Sequence, residues 1–271
     1  MSRLLFYLTL ISYGMATFMY LVWLLRSSEG TGTIARRVLI AGCVMHQLAI
    51  LHRYVAYGHF QITNMHDALS FCGLAIVGSY LVVENRYKVI ALGSFITPVA
   101  FLMMLGSSAL AQDLAPLDPT LQNIWIYMHT ILAFGSYALF TVSGGAAVIY
   151  LLLSHLLKTK HLGQIVQKLP SLQKLDDIGQ RCLNLGFPML TITLIIGSLV
   201  AIQRWGSYWS WDPKQIWSLV IWLIYAALLH GRLALGWRGK RAALLSLVGI
   251  MLLLFGFVGV SVWFPGLHNF N

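Results

Sequence analysis

Eight long apolar runs, at residues 4–25, 38–57, 67–83, 89–110, 124–157, 183–203, 214–235 and 242–264, leave this chain little choice of fold. A helix needs about 20 mostly apolar residues, and at the short end about 17, to cross the hydrocarbon core of a bilayer. Within that core every backbone N–H and C=O must be bonded inside its own segment, so such runs become helices. Composition agrees: 58% of residues are hydrophobic and 10% charged, where a soluble domain carries roughly a quarter charged. The expectation is an all-α fold, a polytopic bundle of about eight transmembrane spans forming one integral membrane domain over residues 1–271. The fifth run is long enough, at about 51 Å of helix, to project beyond the bilayer. The first run, Leu4 to Leu25, is too long for a leader-peptide core and no small-x-small cleavage site follows it, so it reads as a retained span.

Positive charge sets the orientation, because Lys and Arg accumulate in the loops on the inner side. One set of connections holds Arg26, Arg36, Arg37, Arg86, Lys88, Lys158, Lys160, Lys168, Lys174, Arg181, Arg232, Arg238, Lys240 and Arg241, and the opposite set only Arg3, Arg53, Arg204 and Lys214. Both termini are therefore expected outside. The net charge of +10 is then topology signal, and no nucleic-acid partner is needed to explain it. Cys43, Cys72 and Cys182 are isolated, with no CxxC or CxxCH spacing, so the chain is not itself a c-type cytochrome and the three thiols read as small core residues.

Between the sixth and seventh runs lies "RWGSYWSWDPKQIW", residues 204–217, which holds four of the nine tryptophans. An interfacial aromatic belt distributes Trp over many helix ends; here they gather in one outer loop. Trp205 and Trp209 are four apart, which on a helix would put them on one face, and Tyr208, Trp211 and Trp217 extend the aromatic surface. Indole faces stack on extended π systems, and Arg204 and Lys214 could meet carboxylates by charge-assisted hydrogen bonds. Asp212 followed by Pro213 reads as an N-cap with Pro at the first helical position.

Ionisable groups within membrane spans are costly and default to functional candidates. His129, near the outer end of the fifth run, and His268, after the eighth, share the side of the tryptophan segment; such a pair could hold haem iron from both faces. His230 lies 16 residues beyond Lys214, about 24 Å deeper, and belongs to a second, inner position. His46, His52 and His66 read as hydrogen-bonding partners between helices. His59 reads as exposed in an outer loop, and His155 and His161 as polar residues at the inner end. Two connections are longer than the rest: 107–123, polar and irregular, and 161–183, whose apolar spacing suits a helix on the inner surface, broken at Pro170, or equally a plain cytosolic linker.

"WGSYWSWDPKQIW" resembles the tryptophan-rich WWD signature of the cytochrome c assembly membrane family, in the CcsA (ResC) branch of the system II machinery. "QITNMHDALSFCGL", "LPSLQKLDDIGQRCLNLGFPMLTITLIIGSLVA", "IWSLVIWLIYAALLHGRL" and "GLHNF" are similar to that branch as well. The resemblance implies a protein that carries haem b, non-covalently and in transit, and presents it for covalent attachment to an apocytochrome c bearing CxxCH. It implies that His129 and His268 ligate haem on the outer side, where attachment occurs, and that His230 is an inner ligand. The second inner ligand would come from a CcsB (ResB)-like membrane partner, with His155 as a local substitute. Three alternatives stand beside it: a HemX-like relative that influences haem supply without attaching it, a membrane di-haem electron-transfer cytochrome, and a purely structural scaffold that binds no haem.

Overall fold

The computed structural model describes residues 1–26, 30–58, 64–110, 123–160 and 163–264. Its elements are helices α1 (Ser2–Arg26), α2 (Thr31–Tyr57), α3 (Met65–Tyr87), α4 (Gly93–Ser108, entered through a 3-10 turn at Ile90–Leu92), α5 (Ile124–Lys158), α6 (Gln164–Lys168), α7 (Leu172–Trp205), α8 (Pro213–Ala234), α9 (Lys240–Leu254) and α10 (Val260–Trp263), with a π-helical turn at Phe255–Gly259 joining the last two. Among the described residues, eight helical segments are long and apolar enough to cross a membrane. They coincide with the eight apolar runs, and the chain is an all-α integral membrane protein.

The chain divides into two compact units. The first comprises Met1–Leu117 and Leu152–Ser171. Lipid offers no hydrophobic drive for helices to associate, so packing and interhelical hydrogen bonds must supply it. Tyr13 of α1, His46 of α2 and Ser70 of α3 form one buried chain, with Tyr13 Oη 3.2 Å from His46 Nδ1 and Ser70 Oγ 2.8 Å from His46 Nε2. His66 of α3 bonds through Nδ1 to the Ser107 carbonyl of α4 at 2.8 Å, and Ser94 Oγ donates to the Tyr20 carbonyl at 2.9 Å. Arg53 of α2 pairs with the buried Asp67 of α3 at 2.9 Å. His46 and His66 are thus the interhelical partners that their positions suggest. His52 differs, since its buried Nδ1 has no hydrogen-bond partner among the described residues. The three cysteines are buried and unpaired.

The second unit comprises Asp118–Leu151 and Leu172–Asn271. Phe140 of α5 stacks on Tyr225 of α8, ring centroids 3.6 Å apart, within a core that includes Leu183, Leu190, Ile221 and Leu253. Here α5 and α7 run antiparallel. Asn123 Nδ2 donates to Gln203 Oε1 at 3.3 Å, His129 Nδ1 lies 3.0 Å from the Thr193 carbonyl oxygen, and Ser143 Oγ donates to the Gly179 carbonyl at 3.3 Å. Each step along α5 is matched by a step back along α7. At the far end Asp176 of α7 pairs with Arg232 of α8 at 3.1 Å and accepts from the Gly239 N–H at 3.3 Å.

The connection 161–183 departs from the surface helix that its periodicity suggests. Residues 161–162 lie outside the described residues. Pro170 does interrupt it, but only α6 stands apart, tied to the first unit by Lys168, whose Nζ donates to the Trp23 carbonyl at 2.6 Å. Residues 172–183 are the opening turns of α7, with Leu175, Ile178 and Cys182 buried. An apolar stripe at helical spacing serves a protein core as well as a headgroup surface, and burial decides for the core. Of the connection 107–123, residues 111–122 lie outside the described residues.

Candidate functional site

α7 ends at Trp205 because Gly206 takes the left-handed conformation (φ 73°), which costs glycine little and other residues more. Residues 206–212 then form an irregular loop. Trp205 and Trp209 therefore do not share a helical face: Trp205 closes α7 and Trp209 belongs to the loop. Four-residue spacing carries no common face once the backbone leaves the helix.

The loop is held by its own polar groups. Ser207 Oγ donates to the Trp209 carbonyl at 2.9 Å. Gln215 Oε1 accepts from the Ser210 backbone N–H at 2.9 Å and from its hydroxyl at 3.1 Å. Asp212 is 5% exposed, and its carboxylate accepts from the Lys214 N–H at 3.0 Å. It caps α8 with Pro213 at the first helical position, as the sequence predicts. Gln215, three residues after the cap, occupies the position of a capping-box Gln but reaches past the cap to Ser210; the spacing "DPKQ" is the signal that could have pointed to it.

These constraints hold Trp209 and Trp211 edge to face, with centroids 5.8 Å apart and planes at 89°. Trp211 is 71% exposed and has φ 56°. The left-handed conformation costs an L-residue about 1–2 kcal/mol, and an indole so exposed recovers little of that by burial. Strain persists where the surroundings over-determine it, and it clusters at ligand-binding segments. Trp217 plays a different part, packing edge-on against Phe255 of the π-helical turn at 4.9 Å. Arg204 is exposed in the last turn of α7, and Lys214 is half-buried in the first turn of α8. The two cations stand at the helix ends that the loop joins.

His129 belongs to the same end of the unit. The Asn123–Gln203 hydrogen bond fixes the start of α5 beside the end of α7. The half-buried imidazole lies between Thr193 and Gly197 of α7, and Gly197 is eight residues, or about 12 Å, from Trp205. A carbonyl only accepts, so Nδ1 carries the proton in the Thr193 contact and the neutral ring has its lone pair on Nε2. Metal-ligating histidines have this arrangement, with the far nitrogen donating to a carbonyl.

His230 is exposed on continuous α8, on a face with Leu223 and Ala227, while Tyr225, Leu228 and Gly231 face the core. It stands well away from Asp212 along the helix, as its spacing predicts. His155 is exposed near the end of α5, in the part assigned to the first unit. His268, like His59 and His161, lies outside the described residues.

Comparison with known proteins follows the same lines. The cytochrome c assembly protein family matches residues 62–268. A "Cytochrome c biogenesis protein CcsA" from Parasynechococcus marenigrum is 32% identical, over 92% of this chain and 90% of the relative. Relatives with the same description are 30% identical in Guillardia theta, over 86% of this chain and 83% of the relative, and 28% identical in Pyropia yezoensis, over 95% and 94%. Among solved structures, "Cytochrome c Heme Lyase CcmF" superposes with a TM-score of 0.66 at 17% identity. That likeness, which concerns the fold alone, takes in 95% of this chain but only 46% of the solved one.

Proposed function

Because the chain belongs to the cytochrome c assembly protein family, we propose that it carries haem to the outer face of its membrane and presents it for covalent attachment to apocytochrome c. In this reading haem is cargo, and haem b is its chemical form. The whole chain works as one haem-handling domain, with both termini and the tryptophan loop 204–217 on the outer side. That orientation rests on fourteen of the eighteen Lys and Arg residues falling in the opposite set of connections between the apolar runs. The membrane is a bacterial inner membrane or a thylakoid-type one.

The observation that carries the proposal is the exposed, left-handed Trp211. A chain that needed only a tight turn would have glycine there. Trp211 keeps an indole outside at the expense of backbone strain, braced by Asp212 and Gln215 and on the same end of the unit as His129. The indoles of Trp209 and Trp211, together with Trp205 at the end of α7 and Trp217 in α8, offer π surface to a porphyrin. Arg204 and Lys214 suit its propionates. His129, oriented by the Thr193 carbonyl, offers Nε2 to the iron, with His268 as the opposing ligand.

Attachment adds each thiol of CxxCH across a haem vinyl: a C–S bond forms, the vinyl double bond becomes single, and the thiol proton ends on the adjacent carbon. The addition is redox-neutral, and what this chain supplies is position. Aromatic contact and the two cations fix the plane of the ring, and the axial imidazoles fix its depth. His230, farther along α8, serves haem at an earlier, inner position, completed by a CcsB (ResB)-like membrane partner.

The test is co-expression with that partner and a CxxCH apocytochrome in cells lacking their own attachment machinery. Holocytochrome c, detected by haem stain after denaturing electrophoresis, is expected with the natural chain and not with Trp209→Ala/Trp211→Ala. Normal attachment by the double variant overturns the role of the loop. Haem that stays at full occupancy when CxxCH peptide is added to the purified chain points instead to an electron-transfer cytochrome.

A further inference from the structure

Gly197 sits inside α7, two turns before its end, where glycine costs roughly 1 kcal/mol relative to alanine, and it is not at a turn. What it faces explains it. A Cβ at this position would lie 2.9 Å from His129 Cε1 and 3.1 Å from Nδ1, well inside the 3.5–4.0 Å at which carbon atoms pack. Helical Cβ atoms tilt toward the N-terminus, over the preceding turn, and one turn before Gly197 is Thr193, whose carbonyl receives His129. That oxygen has two lone pairs, enough for the helical Gly197 N–H and for the imidazole. The missing side chain at 197 is the opening through which the ring reaches the carbonyl at 193.

We infer that Gly197 is a positioning residue for haem: the notch it leaves seats His129 against the Thr193 carbonyl, fixes the Nδ1–H tautomer, and thereby sets Nε2 as the iron-binding atom. The inference rests on the proposed role of His129 and extends it to a residue that touches no haem. Alanine at 197 forces the ring outward by several tenths of an ångström and breaks the 3.0 Å contact. Loss of a partner of this kind lowers metal affinity about 10- to 100-fold.

The experiment compares the full-length natural chain, Gly197→Ala, His129→Gly and the double variant His129→Gly/Gly197→Ala. In the haem-free protein, 15N-histidine NMR reads the tautomer of His129. The Nδ1–H form is expected in the natural chain and is expected to give way to Nε2–H or a mixture in Gly197→Ala. Haem titration of the same samples is expected to show at least tenfold weaker binding for Gly197→Ala and loss of the bis-imidazole spectrum. An unchanged tautomer and unchanged affinity overturn the inference while leaving the haem reading intact. If the natural chain binds no haem, that reading falls, and the NMR comparison still decides the seat. If Gly197→Ala misfolds, the double variant separates the causes. Folding as well as His129→Gly places the clash at the imidazole and supports the seat; misfolding again assigns Gly197 to helix packing and overturns it.

Discussion

Trp211 permits a test that separates stability from haem retention. In Trp211→Ala the left-handed backbone remains, with its cost of about 1–2 kcal/mol, and the edge contact with Trp209 is lost, worth about 0.5–1.5 kcal/mol. In Trp211→Gly the same contact is lost, but the strain largely disappears, since glycine adopts φ 56° readily. Burial scarcely enters, because the native side chain is 71% exposed. The glycine variant is therefore expected to exceed the alanine variant by about 1 kcal/mol, a factor of roughly five in the folded-to-unfolded ratio, and to come close to the natural chain. Both should lose haem retention, for neither has an indole. The assay is thermal unfolding of the three proteins in one detergent, together with haem content after purification. Equal or inverted stability of the two variants refutes the strain argument. Full haem retention by both refutes the assignment of the indole to the ligand.

Three further outcomes follow from the geometry. Asp212→Ala removes the α8 cap and is expected to cost about 1 kcal/mol, with haem retention reduced because the loop loses a brace; calorimetry and haem content check it. Asp176→Ala leaves Arg232, whose side chain is 5% exposed, without its carboxylate and should cost about 3 kcal/mol, most of which Asp176→Leu/Arg232→Met should recover in the same unfolding assay. His46→Ala breaks the contacts with Tyr13 and Ser70 and is expected to cost about 1 kcal/mol, at some 0.6 kcal/mol per interhelical bond, with haem content unchanged. A loss of haem as large as that from His129→Gly would contradict its structural role.

The spans were legible because a bilayer admits only one way to satisfy a long apolar backbone, and the α8 cap was legible because Asp-Pro before an apolar run has a local mechanism. The path of the tryptophan segment was not. Whether Trp205 and Trp209 share a face depends on one dihedral at Gly206, and nothing in the spacing announces that Trp211 itself turns left-handed. Residues 172–183 carry a stripe that suits a membrane surface or a core, and only the packing of α7 distinguishes them. The seat of His129 was hidden for the same reason, as Thr193 and Gly197 are 64 and 68 positions away in the chain. Within "TITLIIGSLV" a lone glycine says nothing until the antiparallel register of α5 and α7 puts an imidazole over it.

The most direct test is the absorption spectrum of the purified natural chain and of His129→Gly, reduced and oxidised, each with and without added imidazole. Haem held by two imidazoles in the natural chain, its loss in His129→Gly and its partial return with imidazole are the results expected. A spectrum in His129→Gly indistinguishable from that of the natural chain would mean that the iron is held elsewhere, and the site described around the tryptophan loop would be wrong.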